Sequence, residues 1–342
     1  AAFAMGFASL SSGATTWPQW RGVDRDGLVP SGTKGWPTKL SGIAPVWNNP
    51  LAEGYASPIV GKNRVYTVET KDKEYEVVRA FDRKTGEQIW ETSWEGAMKV
   101  PFFARKNGSW VRSTPTLDDG VLYVGGMRDV LVAIDTTDGS IKWQVDFVER
   151  EGSELPAFGF VSSPLVDGNA LYVQAGAQVA KLDKRTGKKI WGAMKDDRAM
   201  YGSAFSSPVI AKIKGVRQLV VQTRESLAGI SLKSGGVLWD YKVKAFRGMN
   251  ILTPVVTGNT IFTSTYGGGS FDFAVDKDGD SLSASKTWVN KTEGYMSTPI
   301  LHKGYAYLHG RDKKFHCIDL ADGTTKWTTD EKFGQYWSMV AN

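Results

Sequence analysis

At 342 residues, with 41% hydrophobic and 23% charged residues, 38 Gly and 13 Trp, the chain is neither disordered nor a coiled coil nor a collagen-like fibre. It is long enough for one large all-β domain or two ordinary ones. Forty-two Lys plus Arg against 36 Asp plus Glu leave a formal charge of +6, mild for this length and spread along the chain, which argues against a dedicated nucleic-acid binder.

The first segment, Ala1 to Leu10 (AAFAMGFASL), is apolar and small. Together with the following Ser-Gly-Ala stretch, residues 1–16 read as the remnant of a signal peptide that has lost its basic start, with cleavage near Ala14. No cysteine follows it, so a lipid anchor is not expected, and no other run approaches the roughly 20 apolar residues of a membrane span. A periplasmic or secreted location is therefore expected. The lone cysteine, Cys317, excludes an internal disulfide framework and any CxxC zinc or redox pair. Residues 17–50 read as an N-terminal segment in which Val46-Trp47-Asn48 has the sequence of an outer strand with no blade before it, a closing strap for the last blade.

From residue 51 onward one pattern recurs: a Ser-Pro or Thr-Pro pair, an apolar β run, a polar turn, a second β run ending in an acidic turn, then Trp. The prolines are Pro58, Pro115, Pro164, Pro208, Pro254 and Pro299, spaced 57, 49, 44, 46 and 45 residues apart. That is the size of a four-stranded propeller blade rather than a helical repeat. The second landmark, Asp82 to Gly86 then Trp90, repeats as Asp135 to Gly139 then Trp143, Asp183 to Gly187 then Trp191, and Asp319 to Gly323 then Trp327. Ser231 to Gly235 then Trp239 is a weakened copy, and after Asp276 to Gly279 the next tryptophan, Trp288, arrives late, so Trp288 is expected to be the least regular.

Runs such as Val121-Leu122-Tyr123-Val124 have strand composition. In the turn, Asp accepts from backbone donors two or three residues on and Gly supplies a positive φ. The six tryptophans Trp90, Trp143, Trp191, Trp239, Trp288 and Trp327 are expected to lie buried between sheets. Residues 51–342 then form an all-β propeller of four-stranded antiparallel blades, six full blades, C-terminally truncated from a seven- or eight-bladed ring and monomeric when full length.

The Ala80-x-Asp82-x-x-Thr85-Gly86-x-x-x-Trp90 pattern resembles the tryptophan-docking repeat of the pyrroloquinoline-quinone (PQQ) repeat propellers, which include quinoprotein alcohol dehydrogenases and BamB. Trp17-Pro18-Gln19-Trp20-Arg21-Gly22 is similar to the opening of secreted PQQ-repeat propellers. The resemblance implies a scaffold that binds a protein or other macromolecule at the channel mouth, without a cofactor and without catalysis. A PQQ-dependent dehydrogenase, with PQQ and Ca²⁺, is the enzymatic alternative, and it resembles this chain less because Cys317 cannot supply the adjacent cysteine pair of the alcohol dehydrogenases. A carbohydrate-binding or carbohydrate-processing accessory protein is a third reading.

Residues just before each Ser/Thr-Pro pair ring the channel mouth: Tyr55, Trp110 with Arg112, Phe158 with Phe160, Tyr201 with Phe205, Arg247 with Asn250, Tyr295, and Tyr336 with Trp337. Aromatics and Arg are enriched at binding hot spots, although aromatics also plug seams. Turns on the same face carry Arg128, Arg224 and Arg311 in alternate blades, and three convergent guanidinium groups suit an anionic ligand or partner loop. The connections Glu95 to Val111 and Phe147 to Val161 are longer than a blade needs. Asp276, Asp278 and Asp280 have the spacing of a weak Ca²⁺ site but lack the later bidentate Glu. No P-loop, nucleophile elbow or HExxH helix appears.

Overall fold

The computed structural model describes residues 15–342 apart from 38, 40, 197–203, 295 and 336. The described residues form six four-stranded sheets, and every neighbouring pair of strands is antiparallel, as in blade 1, where Arg64↔Asp82 to Lys71↔Tyr75 pair the second and third strands. The blades span 59–95, 116–146, 165–193, 209–242, 255–290 and 300–328. This is the β-propeller that the repeat predicts. The apolar core lies in the seams between blades rather than within one sheet. One cluster joins Val78 and Trp90 of blade 1 to Val124 and Val132 of blade 2, and the next joins Tyr123 and Leu131 to Leu171 and Ala180 of blade 3.

Each outer strand reaches its tryptophan through a β-bulge. In blade 1 Ala80 faces Trp90 while Phe81 faces Gln88, so Ile89 is the extra residue. The same shift recurs before Trp143, Trp191, Trp239, Trp288 and Trp327. A bulge of this kind re-aims one side chain and increases local twist. The ring then leans on an aromatic of the second strand of its own blade, Tyr66 for Trp90, Tyr123 for Trp143 and Tyr172 for Trp191, each at 5.9 Å.

The indole also docks forward onto the following blade. Trp90 Nε1 donates to Thr136 O at 3.0 Å, Trp143 Nε1 to Lys184 O at 3.2 Å, Trp191 Nε1 to Leu232 O at 3.4 Å and Trp288 Nε1 to Leu320 O at 2.9 Å. These carbonyls belong to the glycine-closed hairpin turns that start at Asp135, Asp183, Ser231 and Asp319, and such turns hold their shape through side-chain bonds such as Asp82 Oδ1 accepting from Lys84 N and Thr85 N at 2.8 and 2.9 Å. The closing glycine serves twice. Gly139 has φ 82°, and a Cβ there would meet Trp90 at 2.8 Å. Trp47 uses the same contact on blade 1: its Nε1 donates to Arg83 O at 3.0 Å, and a Cβ on Gly86 would meet its ring at 2.7 Å.

The tryptophans depart from the sequence expectation in burial and in regularity: only Trp90 and Trp239 are buried, while Trp143, Trp191 and Trp288 are half-buried, because the outer strand they sit on keeps one edge of each ring at the surface. Trp288 docks regularly, and Trp239 is the exception: its Nε1 donates within its own blade to Gln218 Oε1 at 2.6 Å. The reason is the blade 5 hairpin, whose strands Gly269–Asp278 and Ser281–Asn290 run ten residues each and carry their turn beyond the seam. Trp327 is 47% exposed against 8% for Trp90, because among the described residues no turn of a following blade covers it.

The seams also bury acids. Glu76 accepts from Met127 N of blade 2 at 2.6 Å and from Trp94 Nε1 at 2.9 Å, and burial pushes its carboxyl up to about 7. Asp129 accepts from Gly176 N of blade 3 at 2.8 Å and is likewise pushed up to about 7 by burial.

Trp90→Ala should lower unfolding free energy by about 3–5 kcal/mol and Trp327→Ala by about 1 kcal/mol or less, because only the first leaves a closed cavity. Denaturant titration of both variants checks this. Because folded Glu76 holds its proton more tightly than an unfolded Glu, whose value is 4.5, its contribution to stability declines as pH rises from there through about 7. Melting temperatures of Glu76→Gln across that window should fall less steeply than those of the wild type.

Candidate functional site: the channel mouth

Around the axis the inner ends of the blades are tied by the hydroxyls of the Ser/Thr-Pro pairs. Ser57 N donates to Thr114 Oγ1 at 3.0 Å, Thr114 N to Ser163 Oγ at 3.2 Å, and Ser163 N to Ser207 Oγ at 2.9 Å. Ser207 N then donates to Thr253 Oγ1 at 3.3 Å, and Thr253 N to Thr298 Oγ1 at 3.2 Å. The proline that follows has no N–H of its own, so the pair supplies an acceptor hydroxyl to the preceding blade.

The N-terminal segment threads this ring. Trp17 pairs with Val60 of blade 1, Pro18 O accepts from Leu117 N of blade 2 at 2.7 Å, and Trp20 Nε1 donates to Thr253 Oγ1 of blade 5 at 3.3 Å. Arg21 donates across the channel to Thr298 O at 3.0 Å and Pro299 O at 2.6 Å of blade 6. Arg25 reaches the other way, to Pro164 O at 2.8 Å and Ser163 O at 3.1 Å of blade 3. Both side chains are 4% exposed, and burial lowers them to about 10 and about 9 respectively, so both stay charged at neutral pH. Arg21 and Arg25 adopt φ 62° and 58°, the left-handed region that non-glycine residues seldom occupy. The segment is coiled tightly enough to fill the channel.

Above this plug opens a cavity of about 540 Å³. Trp20 and Arg21 form its floor and the hydroxyls its lower wall. Higher up, Tyr55, Phe158, Phe205, Phe246, Tyr266 and Trp337 surround it, with Phe103, Met249 and Met296 between them. Phe158 meets Phe205 at a tilt at 5.5 Å and Phe246 meets Tyr266 edge-on at 5.3 Å. Exposed rings continue onto the rim: Phe102 is 78% exposed and Phe103 52%, both on the short 3₁₀ helix Phe102–Asn107.

Of the residues singled out in the sequence, Arg112, Arg247 and Trp337 line this cavity. Arg112 lies over the Tyr55 ring at 5.1 Å and Arg247 over Phe246 at 5.2 Å. Arg128, Arg224 and Arg311 lie on the same face, at the blade junctions, each beside a carboxylate of the preceding blade. The distances are 3.9 Å to Glu95, 2.7 Å to Asp196 and 3.1 Å to Glu293. Arg311 also lies over Tyr266 at 4.2 Å. Tyr201 and Tyr295 fall outside the described residues. Phe160 and Asn250 are buried beneath the rim, Asn250 holding Thr223 O and Arg224 O. Sequence reasoning missed Phe103, Phe246, Tyr266, Trp20 and Arg21. The first two belong to the irregular inter-blade connections and Tyr266 to a turn; Trp20 and Arg21 lie in the WPQWRG motif.

The mouth does not fit a calcium–quinone centre, since no described residue lining it is Asp or Glu. Asp276, Asp278 and Asp280 lie on the extended blade 5 hairpin, where Asp276 meets Lys214 at 3.3 Å. Among the described residues no three of His, Cys, Asp and Glu gather to hold a metal ion. No helix among them is long and apolar enough to cross a membrane.

Arg25→Met should orphan the buried Ser163 carbonyl at about 1–3 kcal/mol, Pro164 O keeping its bond from Thr116 Oγ1, and loosen the plug. Limited proteolysis should then cut within residues 17–28 faster than in the wild type.

A family profile described as outer membrane protein assembly factor BamB matches residues 73–329. The BamB of Yersinia pestis is 22% identical over 264 residues, covering 75% of this chain and 62% of its own length. That of Moranella endobia is 21% identical over 291 residues, covering 82% and 69%. The chain thus spans just under two thirds of the Yersinia relative. Among solved structures, BamB from Moraxella catarrhalis superposes with a TM-score of 0.60 at 14% identity, covering 81% of this chain and 74% of its own. The quinohemoprotein alcohol dehydrogenase of Comamonas testosteroni superposes with 0.54 at 11% identity, covering 85% and 60%. These likenesses confirm the propeller, and the profile, matched over three quarters of the chain, places it in the family of outer membrane protein assembly factor BamB.

Proposed function

We propose that this chain is a non-catalytic scaffold of the cell envelope, periplasmic or secreted, that holds a partner protein against the mouth face of the propeller. The observation that carries this reading is the gathering of aromatic side chains around one blind cavity on a rigid disc. Large rings at a concave, partly desolvated site are the usual anchors of a protein interface. The plug supports binding over passage, because Arg21 and Arg25 close the axis. The names of the relatives, assembly factors for outer membrane proteins, supply the setting. Catalysis lacks a basis among the described lining residues, which offer no carboxylate as general base or Ca²⁺ ligand.

The test is position-specific crosslinking in cells that make the protein. A photoreactive side chain at Phe103 on the mouth face should yield protein adducts, while one at Arg185, 76% exposed on the opposite face, should yield few. Adducts from Arg185 alone would refute the docking face. Dye reduction by the purified protein on adding PQQ and Ca²⁺ would refute the non-catalytic reading.

A further inference from the structure

The connection from blade 1 to blade 2, residues 96–115, carries charge of one sign: Lys99, Arg105, Lys106 and Arg112, with no Asp or Glu. The acid just before it, Glu95, faces Arg128 at 3.9 Å. Arg112 is taken up within the connection, by Gly108 O at 2.9 Å and over the Tyr55 ring at 5.1 Å. Lys99, Arg105 and Lys106 differ: they are exposed and make no ion pair among the described residues.

The 3₁₀ helix Phe102–Asn107 sorts the side chains at the centre of this connection into rows, because residues three apart in a 3₁₀ helix eclipse one another. Ala104 and Asn107 form the inner row, Ala104 buried and Asn107 O accepting from Tyr55 Oη. Phe103 and Lys106 form the second, in which Phe103 lines the cavity 6.4 Å from Phe158. Phe102 and Arg105 form the third. Phe102 is 78% exposed and, unlike Phe103, does not line the cavity, so this row looks outward from the rim. The tip is firmly supported. Val100 N donates to Ser109 Oγ at 3.1 Å and Val111 N to Thr70 Oγ1 at 2.9 Å, and Val100, Ala104 and Val111 belong to the core of the first seam. A rigid base thus presents a phenyl ring to water beside three cations.

We propose that this part of the rim is a membrane-contact site: Phe102 enters the interface of a bilayer that bears anionic lipid, while Lys99, Arg105 and Lys106 meet the headgroup phosphates. The shape favours a lipid surface over a protein. Protein anchors are enclosed by a pocket of the partner, whereas a fluid interface takes in a ring on a convex tip without one. The charge favours an anionic surface, which adds roughly a factor of five in affinity for each Lys or Arg near it. One ring and three cations give reversible, salt-sensitive binding rather than stable anchoring. The site is separate from the cavity, so it stands independently of a partner protein there.

Flotation of the intact protein with liposomes tests this. Vesicles of phosphatidylglycerol and phosphatidylcholine in equal parts should bind it at low salt at least about tenfold more tightly than vesicles of phosphatidylcholine alone. Phe102→Ser should weaken that binding at least about threefold, and Arg105→Glu combined with Lys106→Glu should abolish it, with circular dichroism confirming the fold of each variant. A bimane attached at Phe102→Cys should shift to the blue on the mixed vesicles, and one at Arg185→Cys on the opposite face should not; Cys317 is buried and escapes the label. Failure to float with the mixed vesicles overturns the proposal, as does flotation that these variants leave unchanged, or a shift from the Arg185→Cys label alone. Protein adducts from a photoreactive side chain at Phe102, in a protein that does not float, would assign the tip to a protein partner instead.

Discussion

The propeller depends on one recurring contact: an indole N–H donated across a seam to the carbonyl of a turn whose last residue has no Cβ. The contact joins two requirements that are usually separate. A large apolar ring must leave water, contributing roughly 2–3 kcal/mol, and its polar edge must find an acceptor once buried. The Asp-x-x-Thr-Gly turn meets both, because the Asp side chain presets the turn and the glycine opens the floor on which the ring lies. Trp47 shows that the contact does not require a strand: the residue is outside any strand, yet its indole meets Arg83 O and Gly86 as its counterparts meet theirs.

At the inner edge a different economy holds. There the seam is made by hydroxyl acceptors and by the plug. The two layers set the character of the mouth. With the axis filled by Trp20 and Arg21, the mouth becomes a closed bowl. The connections that leave the blades here, free of sheet pairing, can place Phe102, Phe103 and Phe246 at its edge.

How much of this was legible in the sequence follows from whether a contact is local to the repeat. The blades, the turns and most docking tryptophans were legible because Asp, Gly and Trp recur at fixed offsets. The regularity of Trp288 and the deviation of Trp239 were not, since they depend on how far the neighbouring hairpin of blade 5 extends. The exposure of Trp327 depends likewise on what lies across its seam. Tyr55, Arg112, Phe158, Phe205, Arg247 and Trp337 were placed at the mouth by their offset from Ser/Thr-Pro. Phe103 and Phe246 lie in connections of unequal length that no offset governs. The plug was hidden for another reason. The WPQWRG motif is visible, but its partners lie 43 to 278 residues away, and no local pattern reports such a distance.

The plug also acts as a gauge. Most seams are made by the same bond between the same parts, so that bond alone is indifferent to how many blades the ring holds, and a duplicated repeat would dock as well as the original. Arg21 and Arg25 are not indifferent. They reach to blades 6 and 3, a span fixed by three intervening residues of coiled chain. Inserting a blade would widen the channel and pull one guanidinium off its carbonyls, leaving a buried cation unsolvated. The count of repeats is therefore checked at the centre of the ring, by a segment that belongs to no repeat.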